Sequence, residues 1–211
     1  KAYKPENKSI VSGQVLQCPY DFQKARLVVR EMADALALDL VDKGLVTNQL
    51  VLTVGYDREN LDDPSRAVRY KGPVTADRYG RKIPKHAVGT ENFSYTSSAN
   101  DLLKAVTALY ERIVDKNLLI RRLSISANKL LDETSVSKEE PAEQLDLFTD
   151  YASKEKQEQA DKAAHTRERK LQEAMLGIKK KYGKNAILKG MNLEDGATAR
   201  ERNQTIGGHQ A

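Results

Sequence analysis

Residues 118–131 read LLIRRLSISANKLL. In this stretch Leu123, Ile125 and Ala127 alternate with Arg122, Ser124 and Ser126, the period of two that gives a strand one apolar and one polar face. The apolar face needs a cover. The segment just before supplies one, a helix capped at Ser98 or Asn100 whose Leu102, Leu103, Val106, Leu109, Tyr110, Ile113 and Val114 form a single stripe. The polar face offers hydroxyls and a guanidinium, which bury one another poorly and so point to an open surface.

Further out, the pattern repeats. Residues 9–16, SIVSGQVL, read as a strand with a bulge at Gly13, broken by CPYD. Asp21 caps a helix with Ala25, Val28, Val29, Met32, Leu36, Leu40 and Val41 at helical spacing, ended by Gly44. Residues 48–57 form a second strand with Leu50, Leu52, Val54 and Tyr56 on one face, and residues 89–98 a third. Between these two lies a long loop, residues 57–88, rich in Gly, Pro and charge; connections of that length tend to be functional. The order β-α-β, loop, β-α-β predicts an α+β fold, a split β-α-β two-layer sandwich. It has a four-stranded antiparallel sheet with two helices on one face, followed by a C-terminal helix and an extended tail. The expected divisions are residues 1–133 for this domain, 134–152 for an acidic linker, and 153–211 for a basic helix and tail. That helix, residues 154–182, carries a stripe of Ala164, Leu171, Met175, Ile178 and Tyr182 and stops at Gly183.

The 211 residues are 31% charged and 39% hydrophobic, a low apolar share that predicts a partly extended chain. One cysteine, Cys18, excludes an internal disulfide and fits a reducing, cytoplasmic setting; it is expected to be small and buried at a strand end. No secretory leader or bilayer-length apolar run occurs, and no membrane partner is expected. The chain does not begin with Met, which suggests a piece of a longer protein. Residues 65–85 hold seven Lys and Arg against Asp77 alone, and residues 132–150 hold seven acids against one Lys; such blocks suggest separate surfaces for separate partners.

Signatures of catalysis are missing. His86, His165 and His209 are far apart and read as surface residues. Asp57, Asp62 and Asp63 read as a solvated turn rather than a metal cluster. No phosphate-binding glycine loop or nucleophile elbow is present. Arginines, serines and main-chain N–H groups suit a nucleic-acid backbone. An aromatic content of 6% without Trp argues against binding single strands by base stacking. The competing reading is a non-catalytic module that binds a regulatory protein through its sheet or basic helix.

Four stretches together resemble one family. YKPENKSIVSGQVL (residues 3–16) is similar to the junction that opens the little finger, or polymerase-associated domain, of Y-family translesion DNA polymerases, and NLLIRRLSISANKLL (residues 117–131) to its last strand. DRYGRKIPKHAVGTENF (residues 77–93) and ATARERNQTIGGH (residues 197–209) resemble the ImpB/MucB/SamB, UmuC-like, group. The resemblance implies a role in DNA repair and SOS damage tolerance, with the domain gripping primer-template duplex DNA. The implied contacts are Lys8, Ser9, Ile10 and Ser12 on the first strand and Arg121, Arg122 and Ser124 on the last; Arg78, Arg81 and Lys82 are added from the charge of the long loop. The palm that carries the polymerase carboxylates has no counterpart here. The chain alone is therefore expected to be inactive and to hold no cofactor, while the parent polymerase would use Mg2+. Finally, QLDLF, from Gln144 through Leu145, Asp146 and Leu147 to Phe148, matches the peptide by which bacterial polymerases bind the sliding clamp, its beta subunit. A further protein partner for the C-terminal helix is also open.

Overall fold

Two β-α-β units interleave in one antiparallel sheet. The structure, a computed structural model, describes residues 8–136, 151–206 and 209–210, with side chains for 8–136 and 159–204. In chain order the sheet domain contains β1 (Ile10–Tyr20), α1 (Phe22–Asp42), β2 (Leu45–Tyr56), α2 (Glu59–Asp62), α3 (Pro64–Ala67), β3 (Val74–Ala76), β4 (Lys82–Pro84), β5 (Ala87–Thr96), α4 (Ala99–Ile113), β6 (Ile120–Asn128), β7 (Leu131–Asp132) and α5 (Glu133–Val136). The main strands run in the order β1-β6-β2-β5, and β7 adds a short pairing to the start of β2. Each helix thus joins two parallel strands with a third, antiparallel strand between them, the split β-α-β plan.

Alternation places the core. Leu50, Leu52 and Val54 of β2 stand beside Ala127, Ile125 and Leu123 of β6, all fully buried beneath α1 and α4. The helices lock together where the Phe22 and Tyr110 rings meet at 4.9 Å. The Tyr110 hydroxyl donates to the Phe22 carbonyl at 2.9 Å. Burial pushes its phenol far above the ordinary range, so it stays neutral and donating. Asp21 and Ser98 are the helix caps, accepting from the Lys24 and Asp101 N–H groups.

Four sequence expectations are corrected. The first strand does not stop at CPYD but continues to Tyr20, and its irregularity lies between Val15 and Tyr20, not at Gly13, which pairs regularly with Ser124. Pro19 is tolerated because β1 is an edge strand with a bulge. Cys18, in that bulged stretch, is exposed rather than buried. The loop of residues 57–88 is not structureless. It holds α2, α3 and the β3–β4 hairpin, elements of three or four residues, too short to register as a period. The tail is likewise structured, with a 3-10 turn (Gly190–Leu193), α7 (Ala199–Arg202) and a small pairing of β8 (Thr205–Ile206) with β9 (His209–Gln210). Among the described residues no helix is long and apolar enough to cross a membrane.

The C-terminal helix α6 (Tyr151–Tyr182) has a different contact face from the one its apolar spacing predicts. Met175 is buried, but Leu171, Ile178, Tyr182 and Ala164 are exposed. Polar groups one notch around the helix make the contact instead. Glu168 accepts from the Ser98 hydroxyl and the Asn100 N–H at the start of α4, while Arg169 reaches Ser97 and Glu133. Gln172 donates to the Ser97 carbonyl.

Close packing also explains one glycine. A Cβ on Gly89 of β5 would stand 2.7 Å from side-chain carbons of both Leu109 and Ile113 on α4. Gly89→Val should therefore push α4 off the sheet and lower the stability measured by urea denaturation by about 1–3 kcal/mol.

Candidate nucleic-acid interface

The face of the sheet away from the helices is built in rows by the strand register. One row runs Val11, Ser126, Val51, Thr90 and the next Gly13, Ser124, Thr53, Val88. A third runs Val15, Arg122, Gly55, and a fourth Asn128, Gln49, Asn92. No carboxylate stands in any of these rows. The last row is bound together by amides, Gln49 donating to Asn92 at 2.8 Å and Asn128 to Gln49 at 3.4 Å. In the two middle rows Ser124, Ser126, Thr53 and Thr90 are interspersed with Val11, Val51 and Val88, and Arg122 stands at the opposite end, exposed. Gly55 leaves room beside it: a Cβ there would lie 3.2 Å from the Cβ of Arg122. Six residues of strand separate Arg122 from Asn128, about 20 Å. Beyond Asn128, the exposed Lys129 adds a positive charge, and Lys8 lies beside it, its carbonyl accepting from the Leu130 N–H. Val11 and Val15, 64% and 59% exposed, form an apolar border along the β1 edge.

The sequence-predicted contacts do not all reach this face. Arg122 and Ser124 lie on it; Lys8 and Ser9 are exposed at its rim. Ile10 and Ser12 have inward register, opposite Ala127 and Ile125, and Ile10 packs against the core. Arg121 is the extra residue of a bulge where Arg122 pairs with Gly55 and Ile120 with Tyr56. Its guanidinium turns to Asp57, 3.8 Å away. Arg78, Arg81 and Lys82 belong to the exposed β3–β4 hairpin, which packs on α2 and the end of β2. The peptide from Gln144 to Phe148 lies outside the described residues.

Asp57 and Asp63 cap local turns, accepting from the Glu59 N–H and the Ser65 N–H, and Asp62 pairs with Arg58. Hydrogen bonds from Ser65 hold the Asp63 carboxyl below its ordinary pKa. Among the described residues no three His, Cys, Asp or Glu side chains come together to hold a metal ion. A cavity of about 670 Å3 opens between α3 and the turn after α4, lined by Arg66, Arg69, Lys71, Asp63 and Asp115.

A model of the impB/mucB/samB family C-terminal domain matches residues 7–147. The chain belongs to the impB/mucB/samB family. A search among curated proteins found no match. The impB/mucB/samB match covers every strand of the sheet and ends before α6. It agrees with the C-terminal region of a UmuC-like Y-family polymerase.

Beyond the matched region, the C-terminal segment closes over α1, and sequence reasoning missed the residues that hold it. Glu31, 2% exposed, accepts from the Thr198 N–H at 2.8 Å, the Ala199 N–H at 3.2 Å and the Asn192 side chain at 2.8 Å. Asp34 pairs with Lys189, Asp42 with Lys180, and Lys24 with Asp195. The signal was partial: Leu27 and Leu38 lie off the first stripe and bracket Glu31 and Asp34 at helical spacing, so two sides of α1 are covered. Glu31→Ala leaves buried N–H groups unsatisfied, at about 1–3 kcal/mol each. Hydrogen exchange of the Thr198 and Ala199 amides should then rise sharply while that of Leu52 and Ile125 in the sheet stays slow.

Proposed function

We propose that this domain grips primer-template duplex DNA for an error-prone translesion polymerase, through the open face of its sheet. The observation that carries this reading is the face itself: Ser124, Ser126, Thr53 and Thr90 set among valines, no carboxylate in these rows, Arg122 at one end, and Lys8 and Lys129 at the other. Such a surface matches a phosphate backbone without reading sequence. In this reading the chain contributes grip and no nucleotidyl transfer. The Mg2+ chemistry belongs to the palm of the parent enzyme, in the cytoplasm during damage tolerance. A polymerase with an open active site holds its template weakly, and added backbone contacts offset that loss.

Arg122→Ala should weaken duplex binding by the same factor for unrelated sequences. It should also flatten the dependence of log affinity on log salt by about one unit, as read by fluorescence anisotropy. Unchanged affinity and slope would remove the face from the interface. The competing reading, a protein-binding module, is favoured by one observation, the exposed apolar stripe Leu171, Ile178 and Tyr182 on α6. A module of that kind would show no steep salt dependence toward duplex DNA.

The second contact is to the bacterial sliding clamp. Gln144 supplies a directional hydrogen bond, Asp146 keeps the peptide soluble between its apolar neighbours, and Leu145, Leu147 and Phe148 fill an apolar pocket on the partner. A peptide carrying Leu147→Ala and Phe148→Ala should compete for the clamp roughly tenfold or more worse than the native peptide. Equal competition would sink the assignment.

A further inference from the structure

We propose that the tip of the β3–β4 hairpin is a stacking site for an unpaired nucleobase of a DNA strand, with Tyr79 as its platform. The proposal rests on the reading that the chain binds DNA but goes beyond the duplex face, which offers no ring for a base to stack on.

The turn is rigid. The Asp77 carboxylate accepts from the Tyr79 N–H at 2.8 Å, the Arg81 N–H at 3.0 Å and the Arg81 Nε at 2.8 Å. The Asp77 and Arg81 backbones also pair at 2.9 Å, and Gly80 takes the positive φ, +76°, that closes the turn. The base of the hairpin is fixed as well: the Lys85 N–H and the Tyr70 hydroxyl both donate to the Pro73 carbonyl, and Pro84 is buried. At the summit stands Tyr79, 67% exposed and outside the hydrophobic core. The Arg78 and Arg81 guanidinium carbons lie 4.9 and 5.0 Å from its centroid.

The two arginines differ. Arg81 is tied to Asp77 by an ion pair of 2.6 Å and holds the ring in place. Arg78 makes no ion pair among the described residues and is exposed. It is free to leave the ring for a phosphate, yielding its place to a base. That exchange is favourable, because a base stacked on an aromatic ring is worth more than an exposed cation–π contact. The location fits. The hairpin rises from the end of β2, the end of the sheet where Gly55 and Arg122 face each other. A duplex held on the open face with its junction toward this end would set unpaired template beside Tyr79. The low aromatic content of the chain excludes a row of stacking platforms but not a single one.

The chain contains no tryptophan, so Tyr79→Trp introduces one indole as reporter. Three probes are titrated: a blunt duplex, the same duplex with a five-thymine overhang, and that duplex with five abasic sites in the overhang. Anisotropy reads binding and indole emission reads stacking. The expected result is quenching by the thymine overhang alone. Tyr79→Ala should lose about tenfold of the preference for the thymine over the abasic overhang, with blunt-duplex affinity unchanged. Quenching that is absent, or equal with blunt or abasic probes, while the duplex still binds, overturns the stacking site and leaves the duplex reading standing. Failure of all three probes to bind overturns both.

Discussion

The pairing of β2 with β6 is the constraint on which everything else rests. These are the two central strands, and each alternates strictly over the same span. Leu50, Leu52 and Val54 point one way with Ala127, Ile125 and Leu123, while Val51, Thr53 and Gly55 point the other way with Ser126, Ser124 and Arg122. A register slip of one residue would place hydroxyls and a guanidinium under α1 and α4 and the leucines in water. The packing of the core and the chemistry of the open face are thus one decision. The helices cannot be covered without also setting out Arg122 and these hydroxyls, and the match to the impB/mucB/samB domain spans this arrangement.

Much of this was legible in the sequence. The alternation in residues 118–131, the two amphipathic helices and the caps at Asp21 and Ser98 follow from local chemistry, and local chemistry is enough where one face of an element meets one cover. The reading ran out where two covers or very short elements are involved. Helix α1 is buried on two sides, and nothing local marks Glu31 and Asp34 for burial because their partners, Thr198, Asn192 and Lys189, lie more than 150 residues away. The docked face of α6 departs from its apolar stripe for a related reason. Apolar spacing picks out Leu171, Ile178 and Tyr182, but the contact is made by Glu168, Arg169 and Gln172, whose use depends on the free N–H groups at the start of α4.

The site residues divide along the same line. Arg122 and Ser124 could be placed on the open face from period two alone. Arg121 could not, because a bulge is an extra residue that no period announces, and it turns Arg121 toward Asp57. Ile10 and Ser12 have inward register, which the resemblance does not foretell because it supplies a position along the chain and not an orientation. Nothing in the local sequence singles out Tyr79. Its meaning depends on a turn that Asp77 and Gly80 build around it.

The bulged end of β1 bears on how copies of the molecule behave when crowded. An edge strand offers unpaired N–H and C=O groups to any other strand, and sheets commonly associate through such rims. Between Val15 and Tyr20 this rim is bent out of register, and Pro19 has no N–H to give. Two copies brought side by side would find that stretch of rim poorly suited to zipping together. The bulged half of this edge is therefore a poor template for a neighbour's strand, while β5 forms the other edge of the sheet.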